Sequence, residues 1–261
     1  MSSVSLNPFA QIGRATLAIF TEVGRVSRFA AQAAVACVTP PWFLSQLFSQ
    51  LARIGYFSLP VIGLTAVFIG AALALNIYTG GARFNAEQFV PNIVVLGITR
   101  ELGPVLAGLM LSGRVSAGIA AEIGTMRVTE QIDAMSTLQT NPFRFLVAPR
   151  VLAATLTLPI LVFVADIIGV MGGWLVSVNG LGFNSTVYLR NTLQFLEAED
   201  VILGLIKAAA FGFIISVMGA YHGYQSSGGA LGVGRAATNA VVGSTVVILA
   251  TNYVITALFV K

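Results

Sequence analysis

The chain of 261 residues is short of charge, with only 9% Asp, Glu, Lys and Arg, against about a quarter in an ordinary soluble domain. So few charges cannot keep a surface of this size in water, which excludes a soluble globular domain. There is one cysteine, Cys37, so an internal disulfide and a cysteine metal cage are both ruled out, and Cys37 is read as a small apolar residue. The single histidine, His222, has no Cys, His or carboxylate at ligand spacing, so no metal centre and no Ser-His-Asp set can be drawn around it. No G-x-x-x-x-G-K-[ST] loop occurs, and Gly232-Val-Gly234-Arg-Ala-Ala237 lacks the strand-turn-helix setting of a dinucleotide site. Any ATP hydrolysis must therefore take place on another polypeptide. The net charge of +4 comes from Arg and Lys scattered among apolar segments, without the patch and interleaved aromatics of a nucleic-acid surface.

What the chain has instead is apolar length, with 56% hydrophobic residues. Several runs reach the roughly 20 residues a helix needs to cross a hydrocarbon core, and helices satisfy their own backbone in lipid. The expected fold is an all-α integral membrane protein with amino-terminal interfacial helices, five transmembrane helices and one polar cytoplasmic helix. The expected spans are 54–78, 89–121, 151–178, 201–221 and 237–260. The second apolar run is too long for one span, so it must tilt, kink at Pro104 or protrude. Residues 8–32 read as amphipathic, with Ile12, Ile19, Val23 and Val26 on one face and Arg14, Arg25 and Arg28 on another. They are not a cleavable leader, because the first long apolar run begins only near Ile54. After Pro40-Pro41, a second short amphipathic piece carries Trp42, Phe43, Leu47 and Phe48 at headgroup depth. Residues 179–200 read as a loop with an acidic cluster, and 223–234 as a glycine-rich turn leading into a helix. A single domain, 1–261, is expected, with 1–53 interfacial and 54–261 the five-span bundle.

Five spans put the termini on opposite sides. Arg14, Arg25, Arg28, Arg53, Arg127, Arg144, Arg150 and Arg235 fall on the amino-terminal side, against Arg83, Arg190 and Lys261 on the other. The excess of positive charge marks the first side, and the amino terminus with it, as cytoplasmic.

Charge inside a span costs about 2.5–3.5 kcal/mol on insertion scales, so such residues face a bundle interior or a cavity. Arg100, Glu101, Asp166 and Lys207 are the candidates. Neighbours on a helix point about 100° apart, which gives Arg100 and Glu101 different partners and makes Glu101 with Lys207 a plausible interhelical pair. Locking the helices together and lining a cavity explain these charges equally well. Arg114, nearer the cytoplasmic end, is placed to snorkel to phosphates. Gly169-x-x-x-Gly173 and Gly219-x-x-x-Gly223 permit close helix approach without identifying which helices meet. In 122–138, Ile123, Met126, Val128, Ile132 and Met135 can cover an apolar side, leaving Glu122, Arg127, Glu130, Gln131 and Asp133 polar.

The run RELGPVLAGLMLSGRVSAGIAAEIGTMRVTEQIDA from Arg100 to Ala134, with NPFRFLVAPRVLA at 141–153, LIKAAAF at 205–211 and GVGRAAT at 232–238, resembles the MlaE (YrbE) family of ABC-transporter permeases. Met135 and Asn141 stand where that pattern has Leu and Asp. The resemblance covers almost the whole chain and implies a bacterial inner-membrane permease that moves phospholipids and maintains outer-membrane lipid asymmetry. It also implies a homodimer around a lipid cavity, for which the expected lining is Arg100, Glu101, Lys207, Tyr78 and Asp166. Glu122, Arg127, Glu130, Gln131 and Asp133 become a coupling helix against an ABC ATPase (MlaF-like), which holds ATP and Mg. An MCE-domain protein (MlaD-like) and a STAS-domain protein (MlaB-like) complete the implied assembly, and no catalytic or metal site is expected on this chain. Another hydrophobic cargo, such as a sterol or fatty acid, is the nearest alternative. An ion-coupled secondary transporter using Asp166, Glu101 and Lys207 as a proton relay, or a non-transporting scaffold, would use the same charges differently.

Overall fold

The computed structural model describes residues 8–84 and 87–259. The first seven residues, the expected end of the last span at Val260, and Lys261 lie outside them. Among the described residues all regular structure is helical, and five helical runs are long and apolar enough to cross a membrane: Leu44–Gly81, Glu87–Val128, Phe143–Gly180, Ala198–Tyr224 and Gly229–Phe259.

Helix α1 (Pro8–Val38) outruns the expected 8–32. The short amphipathic piece is α2 (Leu44–Ile54), which passes through one tight turn at Tyr56–Ser58 into α3 (Leu59–Gly81).

The long second run stays helical throughout, and its regularity changes at two π-helical turns. It is built of α4 (Val90–Gly97), a π turn at Ile98–Leu102, α5 (Gly103–Leu111), a second π turn at Ser112–Ser116, and α6 (Ala117–Val128). Pro104 lies just inside α5, immediately after the first π turn. Its ring removes the N–H that would bond the Arg100 carbonyl in a regular helix, and a local π turn is a common way to absorb that loss.

The expected single helix over 122–138 is two pieces. Helix α6 ends at Val128, and Glu130 takes a left-handed conformation with φ 61°. A second helix, α7 (Gln131–Thr137), then sets off in a new direction. Apolar periodicity alone could not reveal the break, because Ile123 and Ile132 are both buried on either side of it.

A π turn at Phe143–Val147 leads into α8 (Ala148–Gly180), the element against which most of the others pack. The presumed loop 179–200 contains α9 (Ser185–Phe195). Asn184 caps it by accepting from the backbone N–H groups of Thr186 and Val187 at 3.0 and 3.2 Å, and Tyr188 anchors it in an apolar cluster with Val90, Val94 and Ile98. Asn184→Ala is expected to cost about 1 kcal/mol at this helix and to be seen as faster amide exchange confined to 185–195.

Helix α10 (Ala198–Tyr224) begins with a reciprocal cap between Glu197 and Asp200, which explains part of the acidic cluster. Helix α11 (Gly229–Phe259) starts within the glycine-rich stretch, eight residues before the expected Ala237. Gly228 and Gly229 have φ of 86° and 68°, values glycine adopts freely, and they turn the chain into it.

The small-residue motifs serve contacts within the chain. Gly169 and Gly173 on α8 meet Gly70 on α3, whereas Gly219 and Gly223 on α10 meet the Ser116 and Ala120 carbonyls of the second run.

Candidate functional site: a charged cluster at the first π turn

The first π turn brings Arg100 and Glu101 to the same level of the bundle as Lys207 of α10. Gly204, one turn before Lys207, lies so close to the Thr99 carbonyl that a Cβ would not fit. This close approach lets the Lys207 ammonium reach across, and no part of Lys207 is solvent-accessible. It donates to the Arg100 carbonyl at 2.7 Å and to Glu101 Oε1 at 2.8 Å. The first of these bonds supplies the donor that Pro104 cannot, so proline and lysine form one device: the ring opens the helix ladder and the ammonium closes it.

Glu101 is held by more than Lys207. Thr256 donates to Oε1 and Asn252 to Oε2, both at 2.9 Å. These residues lie one turn apart on α11, so a single carboxylate joins the second, fourth and fifth spans. Arg100 turns away to Asp200 at the start of α10, 3.5 Å from its carboxylate. Asp200 therefore caps its helix and carries an ion pair at once. Sequence reasoning missed Asp200, Asn252 and Thr256. The i, i+4 polar pair Asn252 and Thr256 in an otherwise apolar span was the available signal for the last two.

Two expected members of the set lie apart from this network. Asp166 of α8 is buried against Gly103, where a Cβ would strike its carboxylate, and Oδ1 has no hydrogen-bond partner among the described residues. It therefore meets the same π turn without joining the bonded cluster. Tyr78, at the end of α3, packs edge-on against Phe183 in the apolar cluster around Tyr188.

At the α6 end, Glu122 is engaged inside the chain. Its two oxygens accept from Arg53 of α2 at 2.7 Å and from Arg150 of α8 at 2.8 Å. Arg127 pairs with Asp133 at 2.6 Å and lies over the Tyr224 ring, which splints α7 to α6 across the left-handed Glu130. Glu130, Gln131 and Asp133 are exposed while Ile132 is buried beneath them, so α7 offers polar side chains outward on an apolar anchor.

The sequence profile described as Permease MlaE matches residues 47–258, more than four fifths of the chain. This chain belongs to the MlaE permease family. It is therefore a permease of the ABC-transporter type and not an enzyme, and ATP hydrolysis sits on a separate ATPase subunit. It is 54% identical over 256 residues to a "Probable ABC transporter permease protein" of Rickettsia bellii, covering 98% of this chain and 99% of the relative. It is 30% identical over 256 residues to the "Intermembrane phospholipid transport system permease protein MlaE" of Haemophilus influenzae, covering 97% of each. It is also 34% identical over 210 residues to TRIGALACTOSYLDIACYLGLYCEROL 1 of Arabidopsis thaliana, a chloroplast protein, covering 80% of this chain and 60% of that one. Family membership removes the reason for an ion-coupled mechanism, since energy enters through the ATPase.

Proposed function

We propose that this permease moves phospholipid between membranes as a homodimer in a bacterial inner membrane, with its amino terminus in the cytoplasm. The observation that carries this reading is the exposure of the charged cluster. Lys207 is fully enclosed, yet the side chains of Glu101 and Arg100 remain 39% and 33% exposed in the single chain. Charge at mid-span cannot be left against hydrocarbon, so in the membrane this face is covered by a second copy and a polar ligand. A phospholipid headgroup supplies a phosphate for Arg100, while its acyl chains occupy the apolar surroundings. The Haemophilus influenzae relative, whose name specifies phospholipid transport, supports that cargo over a sterol or fatty acid, and a role in outer-membrane lipid asymmetry is part of the same proposal.

The partner ATPase, which holds ATP and Mg, docks on α7 through Glu130, Gln131 and Asp133, with or without a STAS-domain protein. An MCE-domain protein receives or delivers lipid at the opposite face. Closure of the ATPase moves α7, the Arg127–Asp133 pair passes that motion to α6, and Glu122 carries it to α2 and α8 through Arg53 and Arg150.

Purification of the assembly in mild detergent, with mass spectrometry of co-purifying proteins and lipids, tests the whole reading. Stoichiometric phospholipid with an ATPase and an MCE-domain protein is expected. In proteoliposomes Arg100→Ala is expected to slow ATP-dependent phospholipid transfer by about tenfold to a hundredfold, the loss of one charge-assisted bond. Transfer that proceeds without ATP, or a wild-type rate in Arg100→Ala, would overturn it.

A further inference from the structure

A second cleft opens between α2 and α6, far from the charged cluster. Arg114 lies thirteen residues beyond Glu101 on the same helical path, about 20 Å along it at 1.5 Å per residue. The cleft has a volume of about 270 Å³ and is bordered by Gln50, Arg53, Phe57, Arg114, Gly118 and Glu122. Its composition is not that of a packing defect.

The first sign is a charge imbalance. Arg53, Arg114 and Arg150 converge on this end of the bundle, while Glu122 is the one carboxylate they share, through bonds to Arg53 and Arg150. Three guanidiniums against one carboxylate leave two positive charges uncompensated. Among the described residues Arg114 meets only neutral oxygens, the Phe57 carbonyl and Ser58 Oγ, the latter at 3.1 Å. Snorkelling alone does not describe it, because those bonds tie it to the break between α2 and α3 and hold its charge at the mouth of the cleft.

The second sign is Gln50. It is only 6% exposed, borders the cleft, and has no hydrogen-bond partner among the described residues. Its amide is not fully enclosed, and its free donors and acceptor stand beside an excess of positive charge. Gly118 completes the opening, for a Cβ there would meet nothing within 4 Å.

We propose that this cleft binds the phosphodiester of an anionic phospholipid, held by Arg53 and Arg114 with Gln50 donating from its floor. The apolar surroundings choose lipid over free phosphate. Ile54, Val115 and Ile119 line the cleft, and Phe57 at its edge and Leu64 on α3 are both exposed, offering apolar surface to an acyl chain. The bound phosphate competes with Glu122 for Arg53, so occupancy loosens α2 from the ion-paired junction with α6 and α8. This site needs the membrane setting of the chain but not the identity of its cargo.

The test uses the permease with its ATPase in phosphatidylcholine nanodiscs containing phosphatidylglycerol, with retained lipid counted by native mass spectrometry after delipidation. The wild type is expected to keep phosphatidylglycerol in preference to phosphatidylcholine. Arg53→Gln lowers that retention by about tenfold, the loss of one charge-assisted bond. Because Arg53→Gln also opens the Glu122 pair, Gly118→Leu serves as the second variant. It fills the cleft from open space, favours the helix, and is expected to reduce retention equally without lowering the melting temperature. Unchanged retention in a normally folded Gly118→Leu protein overturns the site. Displacement of phosphatidylglycerol by millimolar inorganic phosphate as complete as by added lipid overturns the lipid assignment. Loss of the cargo in Arg100→Ala, with retention here intact, separates the two sites.

Discussion

Lys207→Met is expected to destabilise the permease by about 3 kcal/mol, at the lower end for removing one partner of a buried ion pair. Two groups lose a donor at once: the Arg100 carbonyl, which has no N–H at Pro104 to fall back on, and Glu101 Oε1, which keeps only Thr256. The loss stays near the lower end because Thr256 and Asn252 still donate to the carboxylate. Thermal melting in detergent measures it, and the double variant Glu101→Gln with Lys207→Met decides its origin. If the unpaired carboxylate carries the penalty, the double variant recovers most of the stability, since a neutral amide no longer needs the ammonium. If the open carbonyl carries it, the double variant melts as low as Lys207→Met. Transport should remain impaired in either case, because the double variant neutralises Glu101 on the exposed face beside Arg100.

This pairing shows where sequence reasoning reaches and where it stops. The insertion cost of charge singles out Arg100, Glu101 and Lys207 without structural help, and the 100° step between neighbours assigns Arg100 and Glu101 to different partners. Which partners these are depends on helices about a hundred or more residues away in the chain, and that register is set by packing. Asp200 is the clearest case. From sequence it belongs to an acidic loop. In the fold it starts a helix through its reciprocal cap with Glu197, and the start of that helix falls opposite Arg100. The two π turns were equally hidden, because a π turn keeps the apolar composition of the helix it interrupts. Pro104 marked the irregularity but not its form.

The five spans and the family were legible for different reasons. Span length is fixed by the bilayer and so can be counted, whereas the signature from Arg100 to Ala134 is long enough to identify the family by itself. The helix at 185–195 was obscured by Asn179-Gly180 and Gly182 just before it, turn signals whose influence ends at the Asn184 cap. In the polar segment 122–138, Ile123 and Ile132 are buried and Met126 and Met135 pack against the core, yet the left-handed Glu130 divides it. Glu122 thus falls in an internal ion-paired junction with Arg53 and Arg150, while Glu130, Gln131 and Asp133 face outward. A transmission path is better served by that division than by one continuous helix. The exposed residues receive the partner, and the enclosed carboxylate ties three helices to the motion.

Gly70→Leu should be the most damaging single change, preventing recovery of folded protein or destabilising it by more than about 4 kcal/mol. A Cβ at position 70 would fall on the Gly169 carbonyl, and across the same crossing Gly172 faces the Val67 carbonyl without room for a Cβ. The obstacle in both places is backbone, which cannot rotate aside as a side chain can, so relief requires α3 and α8 to part. In lipid that separation forfeits the close van der Waals packing on which helix association depends, since hydrocarbon offers no hydrophobic drive to restore it. The contact also lies on the route from the α2 junction into the bundle, so a partly folded variant should couple ATP hydrolysis poorly to transfer. Gly80→Leu on the same helix is the control. A Cβ there meets nothing within 4 Å, and removing a helical glycine favours the fold by up to about 1 kcal/mol. Detergent melting and yield after size exclusion distinguish the two. Equal tolerance at both positions would mean that α3 and α8 are not held at their observed distance, and that the small residues at 169, 172 and 173 serve some contact other than this crossing.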